Sequence, residues 1–139
     1  MNLANLQQAV YTRLAGYTAL TSQLAGQGVY SRVPQPDAAE STAPFPYITF
    51  DFVSFVPFDT DDNDGIQAVL RVHTWSRSQS VLQMSAIMDS IYDCLHKFQI
   101  VISGASTVDC LFITGQTMDD PDGVTTHGVS EFRITYDDI

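Results

Sequence analysis

Apolar residues at the start of the chain fall at Leu3, Leu6, Val10, Leu14 and Tyr17, the three-and-four rhythm of one buried helix face, with Asn2 placed to cap the first turn. A shorter helical turn carrying Leu20 and Leu24 follows, and Gly26 and Gly28 stop it. The rhythm then changes to alternation. Residues 29–33 read as a brief strand, and 34–46, with four prolines among small polar residues, read as a surface loop. Residues 47–58 read as a long strand with Ile48, Phe50, Phe52 and Val56 on one face and Thr49 and Asp51 on the other.

The acidic segment 59–64, closed by Gly65, reads as a hairpin tip, and residues 66–75 return as a strand with Ala68, Leu70 and Val72 opposite Gln67, Arg71 and His73. A second helix follows. Ser80 and Gln83 have capping-box spacing, and its apolar stripe is Met84, Ile87, Ile91 and Leu95, with Met88 and Cys94 beside it. Residues 108–114 and 129–136 read as strands of a terminal hairpin around Asp120, Pro121, Asp122 and Gly123, where proline presets a turn and glycine accepts a positive φ. Residues 99–102 fit a short strand or a frayed helix exit. The order helix, strands, helix, strands predicts one α+β domain over residues 1–139, an antiparallel sheet with helices packed on one face. The proline-rich loop comes too early in the chain to separate two cores.

Composition supports a self-sufficient core. A chain of 139 residues buries roughly two thirds of its unfolded surface on folding, so neither metal nor disulfide is required. Hydrophobic residues make up 45% and charged residues 16%, which separates the chain from disordered and membrane classes. No apolar run reaches the roughly 18 residues of a membrane helix. The start of the chain lacks the pattern of a signal peptide, which predicts a protein that stays in the cytoplasm where it is made. Sixteen acidic against six basic residues give a formal charge of -10, and the cations are scattered from Arg13 to Arg133. Sequence-specific nucleic-acid binding draws on clustered Lys and Arg to neutralise phosphates, so it is not expected.

Few constellations suggest chemistry. Asp59, Asp61 and Asn63 open like a calcium loop, but Asp64 stands where glycine is needed and Leu70 where the closing Glu belongs. His73, His96 and His127 lack metal-ligand spacing and read as structural, His96 as a partly cationic ring favoured at a helix C-terminus. Ser106 lacks the second glycine of a nucleophile elbow, and Gly26-Gln27-Gly28 lacks the third glycine of a dinucleotide loop. Asp119, Asp120 and Asp122 are explained by turn chemistry before catalysis. Cys94 and Cys110 read as buried, reduced thiols. Six aromatics crowd the region 45–58: Phe45, Tyr47, Phe50, Phe52, Phe55 and Phe58. Strict alternation puts Phe50, Phe52 and Phe58 on one face and Val53 and Phe55 on the other, either because the strand is buried on both sides or because a neighbouring subunit covers the second face. No cofactor and no enzymatic activity are expected. A small-ligand or calcium-binding α+β domain is the alternative, with the acidic loop or the Asp119 to Asp122 turn as its site.

Four local patterns, in this order, carry a resemblance to a family. They are the N-terminal helix followed by Val29-Tyr30 and a proline-rich loop; Pro46-Tyr47-Ile48-Thr49-Phe50; His73-Thr74-Trp75-Ser76-Arg77 leading into a helix; and Asp120-Pro121-Asp122-Gly123 followed by His127-Gly128 and Phe132-Arg133. Together they span nearly the whole chain, which resembles the tail-completion and tail-terminator proteins that join tail to head in long-tailed bacteriophages and phage-like particles. Ser78 departs from a glycine common after the Trp-Ser-Arg run, and serine there is a sound cap. The resemblance implies a virion structural protein, a hexameric ring of this chain that ends the tail tube, with the major tail tube protein and the head-tail connector or stopper as partners. It implies assembly in the host bacterial cytoplasm and a final place in the tail or neck of the virion. It marks Tyr47, Phe55, Trp75, Arg77, Asp120, Asp122 and Gly123 as motif or interface residues.

Overall fold

The structure, a computed structural model, describes residues 3–31, 44–57, 59, 64–102, 105–121 and 123–138. Helix α1 (Leu3–Gly16) is followed by the single turn α2 (Thr18–Thr21), then strands β1 (Val29–Tyr30), β2 (Tyr47–Pro57) and β3 (Asp64–Ser76). Helix α3 (Val81–Leu95) leads to β4 (Ala105–Asp119) and β5 (Thr126–Asp138). The strands form one sheet in the order β1-β2-β3-β5-β4. Its four long strands are antiparallel neighbours, and the two-residue β1 adds a parallel pairing at one edge, so the sheet is mixed in an otherwise antiparallel α+β fold. Residues 32–43, which hold most of the expected proline-rich loop, lie outside the described residues, as do Asn2, Phe58 and the tip residues 60–63.

The core forms where the helix stripes meet one face of the sheet. Leu6, Val10 and Leu14 of α1 and Ile87, Ile91, Cys94 and Leu95 of α3 are buried against Ile48, Phe50, Leu70, Val72, Phe132 and Ile134. Gly128 lets α3 approach β5, because a Cβ there would stand 2.7 Å from the Met84 sulfur and 2.8 Å from that of Met88. The start of α3 is built largely as expected: Ser80 is the N-cap, and its hydroxyl accepts from the Leu82 N–H at 3.2 Å. Gln83 does not close the capping box. Its side-chain oxygen accepts from the Ser76 hydroxyl, and the Ser80 N–H donates to Ser78 Oγ instead. At the other end of α3, Arg13 Nε donates to the Cys94 carbonyl at 3.0 Å, which satisfies one carbonyl of the last turn from α1.

Several expectations need correction. The alternation of β2 breaks at a bulge between Phe52 and Ser54, which puts Phe55 opposite Ala68 and Val56 opposite Gln67. Phe55 therefore shares the core face with Phe52, their rings 5.8 Å apart, while Val53 and Val56 are both 46% exposed. One extra residue reverses every assignment after it, so Phe50, Phe52 and Phe55 share the core face and the ring that β2 places on the other face is Tyr47. His96 is the C-cap of α3, and its Nδ1 accepts from the Phe112 N–H at 3.1 Å. Residues 99–101 are irregular, and Ile102 makes only an isolated bridge. The terminal hairpin is longer than expected at both ends.

Candidate interaction surface

On β3 the side chains alternate between two environments. Ala68, Leu70 and Val72 are buried under the helices, whereas Val69, Arg71, His73 and Trp75 point to the opposite face and are only half-buried. Across the sheet this open face continues through Thr49 and Asp51 on β2 and through His127, Glu131 and Arg133 on β5, of which Asp51 and Arg133 are exposed. Arg71 and Glu131 are direct cross-strand partners with charged atoms 3.7 Å apart. A pair at this separation, partly open to solvent, contributes on the order of 0.5 kcal/mol.

One end of this face carries a run of neighbouring rings. Phe45 lies 5.0 Å from Tyr47 and Tyr47 lies 6.4 Å from Trp75. Trp75 stacks on His127 at 3.8 Å with planes 8° apart, and His127 in turn meets His73 at 5.0 Å. Arg77 ties this run to the β4–β5 turn: its guanidinium sits 4.2 Å over the Phe45 ring, and its Nε donates to Thr125 Oγ1 at 3.1 Å. The turn is closed by the Asp120 N–H donating to the Thr125 carbonyl and the Gly123 N–H donating to the Asp120 carbonyl, with Gly123 at φ 73°, a conformation that suits glycine. Tyr47, Trp75, Arg77, Asp120 and Gly123 are thus gathered at one end of the sheet. Phe55 lies away from them in the core face, and Asp122 is outside the described residues.

His73 and His127 carry the strongest polar contact of the face, and their sequence spacing does not reveal it. His73 Nδ1 lies 2.8 Å from His127 Nε2, and His73 Nε2 lies 3.4 Å from Asp51 Oδ1. The two histidines are 54 residues apart in the chain, and only the β3–β5 register brings them together. Burial lowers the His127 pKa and the neighbouring His73 lowers it further, against an opposing pull from Asp120. Burial raises that of Tyr47, which Arg77 partly offsets and Tyr30 reinforces. The Trp75 indole nitrogen is buried without a hydrogen-bond partner among the described residues.

The far edge of the sheet is β4, which pairs with β5 on one side only among the described residues. From Ile113 to Asp119 every residue is exposed, although Met88 of α3 reaches toward Gly115. Residues 110–118 contain no charge and no proline, the usual protections of a free edge, although a bulge interrupts the ladder between Phe112 and Thr114. Asp59 of the acidic tip is used locally, its Oδ1 accepting from the Gly65 N–H at 3.2 Å. Among the described residues no three His, Cys, Asp or Glu side chains gather as a metal site, and no helix is long and apolar enough to cross a membrane.

An α+β domain with a half-open sheet face, an aromatic end and an edge strand free of charge and proline has the features of an assembly module. The model of the tail completion protein gp17 family matches residues 8–137, and the chain belongs to that family. The tail completion protein gp17 of Bacillus phage SPP1 is 26% identical over 92 residues, covering 66% of this chain and 68% of that protein. Similarity of fold extends further. A chain in the virion of a native gene transfer agent particle superimposes with a TM-score of 0.77 at 19% identity, covering 95% of this chain and 94% of the other. The solved gp17 protein of bacteriophage SPP1 gives 0.55 at 20% identity, with coverage of 96% and 89%.

Proposed function

We propose that the chain completes the tail as a ring, six copies around the axis, that ends the tail tube and presents its other side to the head-tail connector. The observation that carries this reading is the family match over residues 8–137. The surface supports it: a ring needs two different patches on each copy that meet head to tail, and the exposed stretch of β4 from Ile113 to Asp119 is a natural one of the two. The formal charge of -10 suits a ring through which DNA passes without being gripped, since a surface with few cations releases few counterions. In this reading the protein acts by contact alone, and Tyr47, Trp75 and Arg77 fix the shape of the contacting end.

Light scattering coupled to size exclusion, run across a concentration series with and without the tail tube protein, tests the proposal. A mass of about six protomers, or a monomer that moves to the mass of the tubes when they are present, is the expected result. A monomer indifferent to tubes at every concentration overturns it.

A further inference from the structure

We propose that Asp51, His73 and His127 form a proton-sharing relay that ties three strands together across the open face at neutral pH and comes apart in acid. The polarity of the relay follows from its first member. An ionised Asp51 can only accept, so His73 Nε2 carries the hydrogen that faces it at 3.4 Å. His73 Nδ1 is then a lone pair, and the 2.8 Å contact is made by His127 Nε2–H donating to it. The ring centroids lie 5.0 Å apart with planes 24° from each other, as expected of two rings whose nitrogens meet end to end. Neighbouring strands β2, β3 and β5 are thereby joined by side chains where they already share a ladder.

The two available protons have opposite effects. The first enters at the other nitrogen of His127 as the Nε2 hydrogen passes across the contact to His73 Nδ1, so the charge rests on the ring beside Asp51 and the contact becomes charge-assisted. The second has only His127 Nε2 left, the lone pair that then holds the contact. Two N–H groups on two cations would then face each other at 2.8 Å, which neither hydrogen bonding nor Coulomb energy allows. The surroundings do not cancel this repulsion. Asp51 from β2 and Asp120 from the turn favour charge on the pair, but each faces only one of its members. Arg71 and Glu131, further along the face, compensate each other, and Arg77 is held over Phe45. On β4 the partner of His127 is the uncharged Met118, and behind the pair Thr74 and Gly128 carry no charge. The burial and the His73 charge that lower the His127 pKa act in the same direction.

Trp75, stacked 3.8 Å from His127, is the only tryptophan and reports on the relay. Imidazole NMR of histidine-labelled protein, titrated from neutral pH into acid alongside Trp75 emission, is the test. The expected result is two separated inflections shared by His73 and His127. Emission should fall chiefly at the second, as His127, stacked on the indole, becomes imidazolium and the rings part. His127→Gln should collapse the His73 titration to one step. Asp51→Asn, at a side chain 60% exposed, should leave the fold intact and move the upper step further into acid. Independent single titrations of the two histidines, each unchanged when the other is replaced by Gln, would overturn the relay. So would an Asp51→Asn variant that titrates as the wild type does.

Discussion

Cys94 and Cys110 show how much a single residue's environment decides. Both are fully buried and unpaired, as the sequence suggests for two cysteines without zinc or disulfide spacing. Burial pushes the Cys94 thiol up to about 11, against the opposing charge and hydrogen bond of Arg13. It pushes Cys110 up to about 12, reinforced by Asp109 and by Cys94 itself. Since the thiolate is the reactive form, neither should react with a thiol reagent at pH 8 faster than the protein opens, whereas both should react at once in denaturant. Rapid labelling of either thiol in the folded protein would contradict that environment. The Ser80 cap was also legible in advance, because one serine before an apolar stripe is a local signal, and its loss costs about 1 kcal/mol. The His73–His127 contact was not, since it is made by register between strands far apart in sequence.

At the scale of elements, periodicity located both long helices and the four long strands, because each buries one face and its apolar spacing records that burial. It failed within β2, where the bulge after Phe52 adds a residue that no pattern of apolar positions announces. The same limit applies to the parallel pairing of β1, two residues long, whose partner is set by the return of the chain at Tyr47. It applies as well to the edge position of β4, since strand order is a property of the whole sheet. That position can be tested directly. Lysine at an edge strand blocks pairing with another chain, so Ile113→Lys combined with Thr117→Lys should leave stability within about 0.5 kcal/mol, both sites being exposed. Thermal melting and light scattering together read the result. The expected outcome is an unchanged melting temperature with self-association or binding to tubes lost, and a variant that still assembles like the wild type would remove β4 from the interface.

For the whole molecule, the sequence carried the fold class and the family, whereas the gathering of Tyr47, Trp75, Arg77 and the β4–β5 turn at one end of the sheet needed the three-dimensional register. Phe55 was misplaced for the same reason that β2 was: a face assignment made by counting does not survive a bulge. What remains is a domain whose helices close one side and whose sheet leaves a face, an end and an edge for neighbours. The most direct measurement of its role is the length of tail tubes grown from purified tube protein with and without this chain, seen by electron microscopy. Tubes that stop growing and carry a ring of density at one end are the expected result. An unchanged length distribution, with bare ends, would contradict a role in completing the tail.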